Sequence, residues 1–571
     1  MLSSKRSSIT SAASSSFQSL GAPVVHTYTT TTPIARPTET HICEMAEKGL
    51  KQHPQKTFLI NAETDQGITC FQVLKRTAQL SKSLRQLGLK KGEVVSLHME
   101  SNLKFPALVL AILRNGGIVH LLNTASTQDD VRHEVRQANP KFLFHTEHFT
   151  STIQELRSEL PTVQRMFNIS DSDEFQDLLG LGAKDKQALP LIGSETDDAF
   201  LVYSSGTTGQ PKGVLLSHRC IIHCVYAANH REWLNRKYID VVFSWFQFQE
   251  LNGCELLMGA MNTACTLIFT PSNSHDILSN LVLIEKYKVT IYPLTPYMSL
   301  VMVQHPNIRN FNLSSIKTLL LGNYTINEAL VEKLEGVLPG ARFFHGYGQI
   351  EAPIYSHATP RNSTKPSSCG VVAPFYESKV VKLSGDVAKP GEHGIIHLRG
   401  PQVMNGYIND PRKTAEAIDE DGWFNSGDVA YYDQDGFYYI VDREKEMIKW
   451  RGHRVSPLLL ERTLLEHPAV KDVVVVGRKV EHDGQVPVAF VQKKPGHDVA
   501  EAELMGMIEI KFKDSHKLRG GVRFVPNIPK TTLGKTKRAE IKQILREEEI
   551  QDADLQSKTQ ENNAKKHTEN A

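Results

Sequence analysis

From about residue 90 to residue 400, short runs of β-branched and apolar residues alternate with stretches whose apolar residues recur every three or four positions. A short apolar run bounded by polar residues has the period of a buried strand, and the spaced pattern has that of a helix. Strands and helices in alternation bury their apolar faces best as largely parallel sheets with helices packed against them. Residues 93–97, 141–144, 199–203, 289–292 and 316–321 read as strands, and 105–113 and 275–287 as helices. The expected fold class is α/β, with a large layered α/β N-terminal domain.

Near residue 428 the texture changes. Residues 429–433 and 437–441 flank Gln434-Asp435-Gly436, a hairpin signal with Asp-Gly at the turn. A helix can start at Ser456 with Pro457 in its first turn and stop before Pro468. Strands over 473–476 and 488–491 and a helix over 501–512 follow, so a smaller α+β domain is expected, with Arg443-Glu444-Lys445 at the junction. The expected division is an arm over 1–38, a large body over 39–442, a C-terminal domain over 443–545 and a polar tail over 546–571. The arm carries no acid before Glu39, is rich in Ser and Thr, and holds Lys5, Arg6 and Arg36. Leu2, Ile9, Ala13, Phe17 and Leu20 fall near one helical stripe, which leaves a transit-type signal and a plain disordered arm both open. The chain ends in Glu569-Asn570-Ala571, unlike a Ser-Lys-Leu peroxisomal address.

Lys+Arg 65 against Asp+Glu 63 leaves a formal charge of +2, so no overall field draws the chain to nucleic acid or an anionic membrane. The longest apolar candidate, 256–269, is shorter than the roughly 18 residues of a membrane span and contains Asn262 and Thr263. Seven scattered cysteines without a Cys-x-x-Cys pair suit a reducing, intracellular compartment, cytoplasmic or mitochondrial. His218, Cys220, His223 and Cys224 lack zinc-site spacing, and the two cysteines read as packed thiols on a helix. His98, His120 and His345 likewise read as packed or surface histidines. A soluble enzyme and a soluble interaction protein both remain.

The strongest local signal follows the strand at 199–203: Tyr203-Ser204-Ser205-Gly206-Thr207-Thr208-Gly209-Gln210-Pro211-Lys212-Gly213. Hydroxyls, bare backbone amides and one lysine in a single loop supply what gripping a polyphosphate requires. Lys212 is followed by Gly213 and the glycine spacing differs, so this is not a Walker A loop.

Further segments recur in order: Gly346-Tyr347-Gly348-Gln349-Ile350-Glu351, Arg399-Gly400-Pro401 with Gly406-Tyr407, Gly422-Trp423-Phe424 with Ser426-Gly427-Asp428, Val441-Asp442-Arg443, Ile448-Lys449 with Gly452, and Pro529 to Lys535. In this register the chain resembles the adenylate-forming superfamily of acyl-CoA synthetases, 4-coumarate:CoA ligases, firefly luciferase and peptide-synthetase adenylation domains. Lys517 to Gly521 brings it nearest the luciferase and coumarate-ligase branch.

The resemblance implies an AMP-forming acid–thiol ligase whose body over 39–442 is the AMP-binding adenylation domain and whose smaller C-terminal domain over 443–545 is mobile. A small-molecule carboxylic acid would attack the α-phosphate of ATP, giving acyl-adenylate and pyrophosphate, and coenzyme A would then take the acyl group. By the same resemblance Ser204, Ser205, Gly206, Thr207, Thr208, Gly209 and Lys212 would hold the β- and γ-phosphates. Tyr347, between Gly346 and Gly348, would lie against adenine beside Gly322 and Asn323. Asp428 would accept the ribose hydroxyls with support from Arg443, and Glu351 would help hold Mg2+. Lys535 would stabilise charge at the α-phosphate. Lys449 would serve the second step, with Lys445 at the pivot and Lys449, Arg451, Gly452 and Arg454 meeting coenzyme A. For Arg451 and Arg454 a solvated loop with chance charges is an equal reading.

Two positions depart from the family. Ile350 stands where a threonine is usual, removing a hydroxyl worth about 1.5 to 3 kcal/mol if it bonds a charged group. Gln247, in Ser244-Trp245-Phe246-Gln247, stands where an aromatic-gate histidine is usual, and with Gln249 it would lie by the acyl pocket. These polar residues hint at a substrate with a polar group, with a solvated loop as the plainer reading. The alternatives are an adenylate-forming enzyme with a non-CoA acceptor, or a weakly active regulatory homologue that binds nucleotide or acyl ligand.

Overall fold

The computed structural model describes residues 25–27, 34–160, 162–170, 172–185, 187, 190–204, 211–272, 276–322, 328–361, 363, 365, 367–451, 453–480, 483–530 and 536–548. The backbone divides into two compact units: Met1–Ser426 with Tyr431–Ile440, and Gly427–Ala430 with Val441–Ala571.

The first unit carries the expected alternation as two large sheets. One runs in the order Gly406–Tyr407, Lys212–Ser217, Asp198–Ser204, Ile118–Leu121, Val94–His98, Phe142–His145, Arg165–Asn168. Its last five strands are parallel, and Lys212–Ser217 turns back antiparallel on Asp198–Ser204. The other has nine strands, with Arg342–Gln349, Thr318–Gly322, Ile291–Leu294, Val241–Ser244, Thr266–Phe269 and Thr57–Asn61 as a parallel centre. Inner strands such as Val94–His98, Ile118–Leu121, Phe142–His145 and Thr266–Phe269 are buried along their whole length, as in a sheet covered on both faces. Helix Phe105–Arg114 shows the same cause: Phe105 to Leu113 are all buried, so it has no polar face. The strand and helix readings fall within about two residues of these elements, and His275 lies outside the described residues.

A third sheet runs His26–Thr27, Glu377–Val381, Gly394–Arg399, Phe424–Tyr432, Tyr438–Arg443. Gly436, at φ +77°, makes the hairpin turn expected at Asp-Gly. Its first strand was unexpected: part of the arm read as signal or disorder is tied down by pairing His26 with Ser378 and Thr27 with Glu377. The His26 ring also packs edge-on against Tyr432, centroids 4.3 Å apart. Such anchoring rests on main-chain pairing and one ring, which leave no periodic trace in sequence.

The second unit is built on the hairpin Val470–Val480 and Gly484–Lys493, with Ile448–Trp450, His453–Val455 and Val522–Phe524 added. Val473 and Val475 enter one core with Leu460 and Leu464, while Val474 and Val476 enter another with Ile541 and Leu545. Burial on both faces explains the unbroken valine run. Ser456 caps helix Pro457–Leu465 as expected, and buried Glu461 pairs with Arg538 at 2.6 Å. Among the described residues no helix is long and apolar enough to cross a membrane.

Candidate functional site

The strands of the first sheet that flank the phosphate-loop segment are in register, Tyr203 opposite Gly213 and Ser204 opposite Lys212. Ser204 Oγ donates to the Lys212 carbonyl at 3.5 Å, so both ends of the segment are held together. Ser205, Gly206, Thr207, Thr208 and Gly209 lie outside the described residues, as do Asn323, Gly452 and Lys535.

Lys212 Nζ lies 5.0 Å from the centre of the Tyr407 ring. The Tyr407 hydroxyl donates to Glu351 Oε1 at 3.1 Å, and its pKa is pushed up by burial and then by that carboxylate. One tyrosine thereby links the lysine expected on phosphate to the carboxylate expected on a metal. Sequence reasoning quoted Gly406-Tyr407 without giving Tyr407 a role. No local signal marks it, because its partner Glu351 lies 56 positions away in sequence. Glu351 is half-buried, and its carboxylate is the oxygen donor a hard divalent cation prefers. Among the described residues no group of three metal-binding side chains assembles, so protein ligation alone would be sparse.

Gly322 and Gly346 pair opposite each other where the parallel pairing of strands Thr318–Gly322 and Arg342–Gln349 ends. Ligands of open α/β sheets bind beyond such carboxyl ends. Gly346 is forced, because a Cβ there would lie 2.1 Å from the Tyr355 ring. A Cβ on Gly348 would meet the Ile354 carbonyl at 2.4 Å. Tyr347, between them, is half-buried, and its carbonyl accepts from Ser356 Oγ at 3.3 Å. Ile350 is half-buried at the turn that follows.

Asp428 is 5% exposed and receives Arg443 Nε at 3.1 Å, so the two residues expected at the ribose are brought together. Neighbouring Asp442 accepts from Ser456 Oγ and from the Leu458 amide, which fixes the start of helix Pro457–Leu465.

Lys445 and Lys449 line one open pocket of about 610 Å3 with Lys479, Gln485, Met447 and Val480. Lys479 was missed because it lies on strand Val470–Val480, outside every motif singled out in the sequence. Arg451 and Arg454 are otherwise engaged: Arg451 Nε is 2.6 Å from Asp483 and Arg454 is 3.1 Å from Glu444.

Gln247 and Gln249 sit in no solvated loop. Gln247 is 1% exposed; its Oε1 accepts from the Ser101 amide at 2.9 Å, and its Nε2 donates to the Thr270 and Pro271 carbonyls at 3.3 and 3.2 Å. Gln249 Nε2 donates to the Met99 carbonyl. A primary amide can satisfy one donor and two acceptors at once, and here it staples the segment after strand Val94–His98 to the end of Thr266–Phe269. Cys220 and Cys224 are packed thiols, donating to the Gln402 and Pro353 carbonyls. His98, His120 and His345 are all buried.

A family model described as AMP-binding enzyme matches residues 46–408, and one described as AMP-binding enzyme C-terminal domain matches 459–535. The chain is 31% identical over 498 residues to 4-coumarate–CoA ligase-like 9 of Arabidopsis thaliana, covering 86% of this chain and 87% of that one. It is 31% identical over 511 residues to the 4-coumarate–CoA ligase of Vanilla planifolia, covering 87% and 92%. In fold it matches the anthranilate CoA ligase AuaEII, crystallised with anthranoyl-AMP, at a TM-score of 0.80 and 23% identity over 89% of this chain and 98% of that one.

Proposed function

The chain belongs to the AMP-binding enzyme family, and we propose that it couples ATP cleavage to the formation of an acyl-CoA thioester from a small carboxylic acid. The observation that carries this reading is the Lys212–Tyr407–Glu351 arrangement, which joins a phosphate-binding cation to a metal-binding carboxylate.

In the first step the acid's carboxylate attacks the α-phosphate and pyrophosphate leaves. Ser204 to Gly209 and Lys212 hold the departing phosphates, and Lys535 offsets the charge that builds at the α-phosphorus. Tyr347 rests against adenine, aided by Gly322 and Asn323, and Asp428, oriented by Arg443, accepts the ribose hydroxyls. Glu351 would hold Mg2+, with Tyr407 fixing its carboxylate through Oε1. When bound, the cation neutralises phosphate charge and orients the leaving group.

In the second step the thiolate of coenzyme A attacks the acyl carbon and AMP leaves. The lysines of the open pocket, Lys445, Lys449 and Lys479, suit the phosphates of coenzyme A, and Gln485 adds a polar contact. Arg451 and Arg454 are paired with Asp483 and Glu444, which offsets the charge they offer those phosphates.

Incubating the full chain with ATP, Mg2+, coenzyme A and a panel of aromatic and aliphatic acids, and following thioester by mass, tests the reading. One acid or group of acids should give thioester with an equal amount of AMP; AMP without thioester would point to another acceptor, and neither product would sink the ligase reading.

A further inference from the structure

Helix Gln128–Ala138 places a carboxyl where a carboxylate is poorly tolerated. Glu134 is 3% exposed, and the His120 ring facing it from strand Ile118–Leu121 is wholly buried. Glu134 Oε2 and His120 Nε2 are 3.8 Å apart, and neither atom has a hydrogen-bond partner among the described residues. His120 Nδ1 is taken by Ser96 Oγ at 2.8 Å. The third side of the nest is Tyr203, its ring 5.3 Å from that of His120. The remaining titratable groups that act on Glu134 are Asp130 and His133 of its own helix.

Tyr203 connects this nest to the nucleotide side. Its hydroxyl donates to the Glu134 main-chain carbonyl at 3.2 Å, and its ring lies against Gly213, where a Cβ would come within 2.9 Å of Cζ. It is also the residue before Ser204, and Ser204 is paired with Lys212. The Glu134 turn, the phenol and both ends of the phosphate-loop segment therefore form one packed chain, in which displacing the first member displaces the last.

We propose that Glu134 is a positioning residue for nucleotide binding: as the neutral acid it holds the helix turn that pins Tyr203, and with it Ser204 and Lys212, and on ionising it lets them go. The inference rests on reading Ser204 and Lys212 as phosphate-holding residues. Burial, followed by the charge of Asp130, pushes the Glu134 pKa up to about 8, while burial holds His120 down at about 3, so both are neutral at pH 7. An ionised Glu134 has no cation to meet, because His120 stays uncharged, and the nest must open to hydrate it.

Calorimetric titration of the full chain with Mg-ATP between pH 7 and pH 9 tests this without knowledge of the acid. For an ionisation near pH 8 that abolishes the competent arrangement, the wild-type Kd should rise about tenfold over that interval. Binding near pH 8.5 should take up a proton, read from heats in two buffers of different ionisation enthalpy. Glu134→Gln, the same shape without the titration, should bind as wild type does at pH 7 and change less than about twofold by pH 9, with no proton uptake. Tyr203→Phe, which removes the pin, should bind weakly and without pH dependence throughout. A flat wild-type profile, or a Glu134→Gln profile that follows wild type, overturns the inference alone. If wild type binds no ATP at pH 7, the nucleotide reading falls and the inference with it.

Discussion

Replacing Gln247 by alanine tests whether this residue is a staple or part of a substrate pocket. The change removes three hydrogen bonds, at 2.9, 3.3 and 3.2 Å, and strands the Ser101 amide and the Thr270 and Pro271 carbonyls. Ser101 and Thr270 are 1% and 5% exposed, so water does not replace the amide without local opening. Taking about 1 kcal/mol net for each bond, and more for a stranded amide than for a carbonyl with a second lone pair, the expected loss is about 3 to 4 kcal/mol. Gln247→Glu should cost at least as much, because a carboxylate turns an acceptor toward two carbonyls. Gln247→His, with one donor and one acceptor, should lose only about 1 kcal/mol. Urea unfolding followed by tryptophan emission reads these changes, since Trp245 is buried two residues away. If Gln247→Ala unfolds within about 0.5 kcal/mol of wild type but alters which acids are accepted, the staple account is wrong.

Tyr407→Phe leaves Glu351 without its donor and should slow pyrophosphate release about tenfold, with part of the loss recovered at high Mg2+; an unchanged Mg2+ dependence would separate Tyr407 from the metal. Lys479→Ala should raise KM for coenzyme A several-fold and leave ATP–pyrophosphate exchange untouched, and equal damage to both steps would place the pocket elsewhere in the reaction. Buried His98, held down at about 4 by desolvation, is neutral in the fold and takes up a proton more readily when unfolded. Its contribution is thus complete above about pH 6.5 and falls by about 1.4 kcal/mol per pH unit as pH drops from there to about 4; in His98→Met the loss of Tm on acidification should be shallower. Arg538→Met leaves Glu461 buried without its cation and should destabilise the second unit by about 3 to 5 kcal/mol, whereas Arg538→Met with Glu461→Leu should recover most of that.

Elements whose cause is local were legible in the sequence. Ser456-Pro457 announces a helix start, Asp435-Gly436 a turn, and the valine run at 473–476 a strand covered on both faces, because each depends on residues within one or two turns of chain. The candidate site was legible where glycine and charge recur in one segment, as at Gly346-Tyr347-Gly348. It was hidden where function depends on which strands become neighbours. Tyr407 meets Glu351 across 56 positions and Glu134 meets Tyr203 across 69, and no periodicity reports such pairings. Gln247 was misread for the same reason: a polar residue in a loop looks solvated until its three backbone partners, up to 146 positions away, are brought to it.

The central claim is that this chain forms an acyl-adenylate, and exchange of labelled pyrophosphate into ATP across a broad panel of acids tests it most directly. The account predicts exchange that requires one acid or group of acids, is lost in Lys535→Ala, falls strongly in Lys212→Ala, and persists without coenzyme A. Exchange that is absent with every acid, or that survives Lys535→Ala undiminished, would contradict it.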